Sequence, residues 1–483
     1  MSMMIRRLSR AMAALIWLAA PLPLLAQTTA NDADDETLAR GAYLATASDC
    51  TACHTAHGGE PMAGGLRIAS PVGEIVATNI TPSTSHGIGN YSEEQFARVL
   101  RHGIRADGAN LYPAMPYTAY ARMSDEDIHA LYVYFMHGVA PVDEPTPPTA
   151  LPFPMNLRVA MKGWNLLFHD ATPLEEDPEQ SAAWNRGRYL VEGPTHCSSC
   201  HTPRGFMMQE LDDQAMAGAQ VGPWYAPNIT PDDVGGIGSW RHDELVTYLR
   251  TGKLDQAQAA GSMAEAITHS FQHLSDDDLS AIATYIEALP PIGPSDAEER
   301  QGHRFSHGRP SDELVNFRGD SYAEGLEGES RGAQIYSANC ASCHQPDGRG
   351  TADGYYPRLF ENGILGDENA SNLIATILYG VERETEAEGH VFMPPFGEQP
   401  NAFNALSNDE IADLSNYLLT HFGRVDESGK ASVEVTADDV QTIREGGPGS
   451  PLILLSRIGM GVGIVVVVLL GYWLLRRRRT AKR

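Results

Sequence analysis

The chain has 483 residues, too many for one compact core, so several domains are predicted. With 42% hydrophobic and 20% charged residues it is neither a disordered chain nor one embedded in lipid throughout. Its 62 acids against 35 bases give a formal charge of −27, which argues against a nucleic-acid partner.

Residues 1–26 read as a secretory signal peptide, with Arg6, Arg7 and Arg10 ahead of the apolar run Ala11–Leu25 and a cut after Ala26. Leu24 is larger than the residue preferred three positions before a cut, so an uncleaved anchor is the competing reading. Residues 27–140 form a first predicted domain. A helical stretch with Gly41-Ala-Tyr43 leads into Cys50-Thr-Ala-Cys53-His54, and Met115 follows in Tyr-Pro-Ala-Met-Pro. A helix capped at Ser124-Asp-Glu-Asp127 closes the domain and carries Tyr134. Residues 141–180 are a Pro-rich connecting or docking segment. Within it Phe153–Phe168 is too apolar for a free linker and either covers a domain or docks on a partner.

Residues 181–290 repeat the first domain. Asn228–Gly252 aligns without a gap on Asn79–Gly103, with ten of 25 positions identical. Gly187-Arg-Tyr189, Cys197-Ser-Ser-Cys200-His201, Met263, the cap Ser275-Asp-Asp-Asp278 and Tyr285 occupy the corresponding places. A polar linker, 291–324, separates this copy from a weaker third one at 325–425. There Gly332 to Tyr336 precedes Cys340-Ala-Ser-Cys343-His344, followed by Met393, the cap Ser407-Asn-Asp-Glu410 and Tyr417. In each copy a small Gly on the first helix and a Tyr on the last are expected to meet at a close crossing: Gly41 with Tyr134, Gly187 with Tyr285, Gly332 with Tyr417. A second linker, 426–457, reads as unstructured. Residues 458–475 are a predicted transmembrane helix, and 476–483 form a basic tail (Arg476, Arg477, Arg478, Arg479, Lys482, Arg483) expected on the cytoplasmic side.

All six cysteines fall in the three C-x-x-C-H motifs, the attachment signature of c-type haem. Zinc normally needs two such knuckles per site, a thioredoxin-like pair needs a βαβ setting, and a disulfide does not explain a histidine recurring three times. A thioether as sixth ligand favours the reduced iron. Met115, Met263 and Met393 lie 61, 62 and 49 residues after the histidines, at matching places before the last helix. Met62, Met216 and Met123 are the competitors, nearer the motif or at the helix cap. Pro357 is a candidate to orient His344 through its carbonyl.

With these motifs, Asn-Ile-Thr-Pro, Tyr-Pro-Ala-Met-Pro-Tyr117 and Cys-His-Thr-Pro-Arg-Gly-Phe206 in view, the chain resembles the triheme cytochrome c subunit of bacterial membrane-bound dehydrogenases, the type serving alcohol, gluconate, fructose or aldehyde oxidation. The resemblance implies a mainly α fold of three tandem class I cytochrome c domains plus one C-terminal transmembrane helix. It implies three covalently bound haem c groups: the first on Cys50, Cys53, His54 and Met115, the second on Cys197, Cys200, His201 and Met263, the third on Cys340, Cys343, His344 and Met393. The implied partner is a large catalytic subunit of quinoprotein, flavoprotein or molybdenum type. Electrons would pass to ubiquinone or a soluble carrier, with the haem domains in the periplasm. The acidic insertion Glu382–Glu388 departs from the pattern and puts Met393 in question.

The leading expectation is therefore an electron-relay subunit without catalytic residues of its own. A membrane-tethered shuttle with no dedicated dehydrogenase and a self-contained multihaem peroxidase are the alternatives. Without the signal and tail bases the exported part holds 26 bases and 62 acids; this suits either a basic partner or a salty medium.

Overall fold

The structure is a computed structural model and describes residues 24–293, 303–311 and 330–480. The segment read as a signal peptide lies outside the described residues except for its last three, which begin the helix Leu24–Ala47. The basic tail falls outside them beyond Thr480. Three helical units follow one another, each with its own apolar core and a short antiparallel hairpin after its C-x-x-C-H motif, the second unit having two.

Each unit is built on a crossing of its first and last long helices. In the first, Leu24–Ala47 crosses Asp125–His137; in the second, Ala182–Glu192 crosses Asp276–Glu287; in the third, Arg331–Asn339 crosses Asn408–Phe422. The expected Gly–Tyr contacts are all present. A Cβ placed on Gly41, Gly187 or Gly332 would stand 2.7, 2.9 and 2.6 Å from the Cβ of Tyr134, Tyr285 and Tyr417. The helix starts are capped as the sequence suggests, Ser124, Ser275 and Ser407 accepting from the amides of Asp127, Asp278 and Glu410 at 3.1, 3.1 and 3.3 Å.

Only Glu410 also reaches back to its own cap amide, at 2.9 Å. The two aspartates instead join the first unit to the second, and they do so reciprocally. Asp278 accepts from the Tyr43 hydroxyl at 2.5 Å and from Arg186 at 2.7 Å, while Ser275 N–H donates to the Tyr43 hydroxyl at 3.2 Å. Asp127 accepts from the Tyr189 hydroxyl and from Arg40 at 2.6 Å, and Ser124 N–H donates to the Tyr189 hydroxyl at 3.2 Å. The Gly-x-Tyr pairs of the sequence thus place each tyrosine on the helix cap of the other unit. Tyr336 of the third unit has a different spacing from its glycine and donates to Gln345 O of its own unit at 2.6 Å.

This junction should respond to acid. Burial opposes ionisation of Asp278, but Arg186 and Tyr43 hydrogen-bonded to it hold its carboxyl below the usual range. A lowered folded pKa gives stability that is complete above the unfolded value of about 3.9 and is lost as the pH falls through the folded value. Asp278→Asn is therefore expected to cost about 1.5–3 kcal/mol at pH 7, the range for hydrogen bonds to a charged group. In denaturant titrations from pH 7 to 3 the gap from the unmutated protein should close towards the acid end. A gap that stays constant with pH would remove the carboxylate from the account.

The third unit joins the second through the hairpin Val381–Thr385/Gly389–Met393, which contains the acidic insertion. Glu384 and Glu386 amides donate to Thr268 Oγ1 and Gln272 Oε1, Lys253 pairs with Glu388 at 2.7 Å, and the fully buried Arg383 donates to Ala259 O at 2.9 Å. The insertion is an interdomain clasp, a role that its acidity alone did not suggest.

In each of the three segments read as linkers, described residues pack against the units. Ala160–Phe168 forms a helix covering the first unit: Tyr117 donates to Asn165 at 2.7 Å, Asn165 to His102 O at 3.2 Å, and Trp164 reaches Met207 O of the second unit at 2.8 Å. Of the two readings of this segment, cover or docking surface, the covering contacts are present, and Leu166 and Leu167 remain exposed on its outer side. Ala437–Arg444 is a second helix, started by a Thr436/Asp439 capping box, and it buries Val440 and Ile443 in the third core. Phe305, within the polar linker, is also buried.

The last helix runs Leu452–Thr480 and begins six residues earlier than expected. Arg457 lies within it, and its guanidinium donates to Phe153 O at 2.9 Å. Leu452–Trp473, with mean hydropathy 2.5, is the one stretch among the described residues long and apolar enough to cross a membrane.

Candidate haem-binding sites

In each unit the C-x-x-C-H motif winds a short helical turn at the end of the first helix, so both thiols and the imidazole project from one turn. The turns cover Cys50–His54, Ser198–His201 and Ala341–His344. The six cysteines are unbridged. Burial pushes the Cys50, Cys53 and Cys340 thiols up to about 12 and Cys197 to about 11, the opposite of an activated thioredoxin-like pair. Among the described residues no group of three or more His, Cys, Asp or Glu could hold a metal ion by itself, so a zinc knuckle would lack its second half.

The histidines share one arrangement. Nδ1 of His54, His201 and His344 stands 2.6, 2.7 and 2.9 Å from the carbonyl oxygens of Thr78, Pro227 and Pro357. A carbonyl can only accept, so Nδ1 carries the proton and Nε2 keeps its lone pair for a metal. Burial lowers the pKa of each ring against the carbonyl's opposing effect, to about 4 for His201, so the neutral, ligating form prevails at neutral pH. The sequence pointed to Pro357 alone. Thr78 and Pro227 each directly precede the repeated Asn-Ile-Thr-Pro, and this shared position was the signal that could have found them.

In the second unit the arrangement encloses a cavity. Cys197, Cys200 and His201 line one side, Met263 lines it as well, and Ile237, Leu245, Leu249, Phe271 and Ile286 supply apolar walls. Two buried donors on its wall, Trp240 Nε1 and Arg304 Nε, have no hydrogen-bond partner. Thiols and imidazole on one side, a thioether, apolar walls and unsatisfied donors fit a flat apolar macrocycle bearing iron and carboxylates.

Met216, the competitor of Met263, does not line that cavity. It is buried in the second core with φ +63°, its amide donating to Thr202 Oγ1 at 3.1 Å. Met62 repeats this arrangement in the first unit, with φ +60° and a 3.1 Å bond to Thr55 Oγ1. Both side chains are buried in the cores of their units. Met123 is likewise wholly buried in the first core. Met115 and Cys50 lie at the edge of the first core, and Met393, at the end of its hairpin, and Cys340 lie at the edge of the third.

A cytochrome c family model matches residues 38–138 and 329–422, the first and third units. The chain is 46% identical to a fructose dehydrogenase cytochrome subunit of Gluconobacter japonicus over 94% of this chain and 93% of the relative. It is 40% identical to a quinone-dependent alcohol dehydrogenase cytochrome c subunit of Gluconacetobacter polyoxogenes, covering 88% and 87%. It is 37% identical to a gluconate 2-dehydrogenase cytochrome c subunit of Pantoea cypripedii, covering 86% and 91%. With end-to-end similarity of this kind added to the haem-attachment motifs and their shared geometry, the chain belongs to the cytochrome c subunits of bacterial membrane dehydrogenases and carries electrons from a dehydrogenase.

Proposed function

We propose that the chain binds three haem c groups and relays electrons from a catalytic subunit oxidising a CH–OH donor to ubiquinone or another respiratory acceptor. The observation that carries the number three is the recurrence, in every unit, of a C-x-x-C-H turn whose histidine is oriented by a backbone carbonyl. Haem supplies one-electron redox chemistry when bound. The chain's own part is to attach it through Cys50 and Cys53, Cys197 and Cys200, Cys340 and Cys343. His54, His201 and His344 would ligate the iron together with Met115, Met263 and Met393, and the apolar walls around the second site would keep water from it.

The donors named for the relatives, fructose, alcohols and gluconate, support a hydroxyl substrate in the partner. The apolar helix ending in basic residues supports an inner-membrane anchor with the haem units in the periplasm and the tail in the cytoplasm. Purification from gently solubilised membranes tests the whole reading. The intact mass should exceed that of the polypeptide by three haems, and a larger dehydrogenase subunit should accompany the chain. Two haems would remove one site, and a chain that emerges alone would favour the tethered shuttle.

A further inference from the structure

The second haem cavity is closed by residues from outside its own unit. Arg304 and Phe305 reach it from the segment between the units, and Asp367 and Asn372 from the third unit. Arg304 is only 10% exposed along its side chain and is wedged in place, its amide donating to Val234 O at 3.2 Å. One guanidinium nitrogen stands 3.4 Å from Asp367 and another 3.5 Å from Asn228 O, while Nε–H has no partner. Trp240, tilted against Phe305 with ring centroids 5.4 Å apart, also lines the cavity and leaves Nε1–H unpaired. Two buried donors without acceptors are costly, and their presence on one wall calls for an anion between them. The first unit has Tyr91 at the position of Trp240, with no indole N–H there, and its hydroxyl accepts from the Ala106 amide at 3.4 Å. The feature therefore belongs to the second site and not to the repeat.

We infer that Arg304 and Trp240 seat a propionate carboxylate of the second haem, and that Arg304, held by Asp367, makes that haem's potential depend on the third unit. The inference rests on the reading that Cys197, Cys200 and His201 carry a haem. A cation beside the carboxylate favours the reduced iron, and Asp367 partly offsets it.

The test is a spectroelectrochemical titration of the full chain, matured with its haems. Met263→His, which exchanges thioether for imidazole, marks the second haem as the one whose midpoint drops. Arg304→Gln should lower that same midpoint and leave the other two in place, with the low-spin spectrum retained. Asp367→Asn should raise it, and this opposite sign separates an electrostatic role from a loosened fold. If both variants leave that midpoint unmoved, or both move it in one direction, the seat is wrong while the haem reading stands. A mass showing no haem on Cys197 and Cys200 would overturn both.

Discussion

Gly187→Val is expected to abolish the fold of the second unit. A Cβ on Gly187 would lie 1.9 Å from the carbonyl oxygen and 2.6 Å from the carbonyl carbon of Ala281, besides 2.9 Å from Tyr285 Cβ. These are mostly backbone atoms of the facing helix, so no rotamer change relieves the clash and the helices must separate. Ordinary overpacking costs about 1–3 kcal/mol. Prying apart the central crossing belongs with the rare losses above about 4 kcal/mol, against a typical total of about 5–15 kcal/mol. Gly41 and Gly332 meet Ala130 O at 2.0 Å and Asp413 O at 2.3 Å, so the same substitution there should remove the first or third unit. Gly163→Ala is the control. It sits in the helix Ala160–Phe168 with nothing within 4 Å of its Cβ, and the helix should gain about 0.5–1 kcal/mol. Haem content and denaturation midpoints of the four variants decide the matter; a folded Gly187→Val protein with its full haem complement would refute the crossing.

That crossing was legible in the sequence because a repeat shows what a single copy hides. One glycine before a cysteine pair says little, but three of them, each with a tyrosine ten residues past a helix cap, constrain the geometry. The capping residues were legible for the same reason. What the repeat could not show is where one unit touches another. Tyr43 and Tyr189 stood in the quoted Gly-x-Tyr pairs, yet their contacts with Asp278 and Asp127 depend on the packing of separate domains. Arg304 is one more arginine in a polar stretch until the third unit closes over it. The helix Ala437–Arg444 is hard to see in the sequence although Thr436 and Asp439 spell its capping box, because a short helix that buries only Val440 and Ile443 has little periodicity to detect. Pro-rich flanks around Phe153–Phe168 likewise hid a helix whose order comes from the surface that it covers.

Within the haem sites the least legible assignment was the sixth ligand, and exchanging Met263 or Met216 for alanine should give opposite phenotypes. Met263 shares a cavity with His201, Cys197 and Cys200, whereas Met216 is buried in the second core and held by Thr202. On the proposed reading of three haems with Met263 as a ligand of the second, Met263→Ala is expected to turn about one third of the haem high-spin, with a large fall in that site's potential. Little stability should be lost, because the side chain is only partly buried. Met216→Ala should keep all the haem low-spin and lose about 2–5 kcal/mol, the usual cost of truncating a buried methionine. The φ of +63° at this position is inherited by alanine and adds strain that Met216→Gly would relieve. Absorption spectra and denaturant midpoints of the two alanine variants separate these outcomes. A low-spin Met263→Ala protein beside a high-spin Met216→Ala one would exchange the roles. It would also shift suspicion to Met62 in the first unit, which has the same turn and the same threonine contact as Met216.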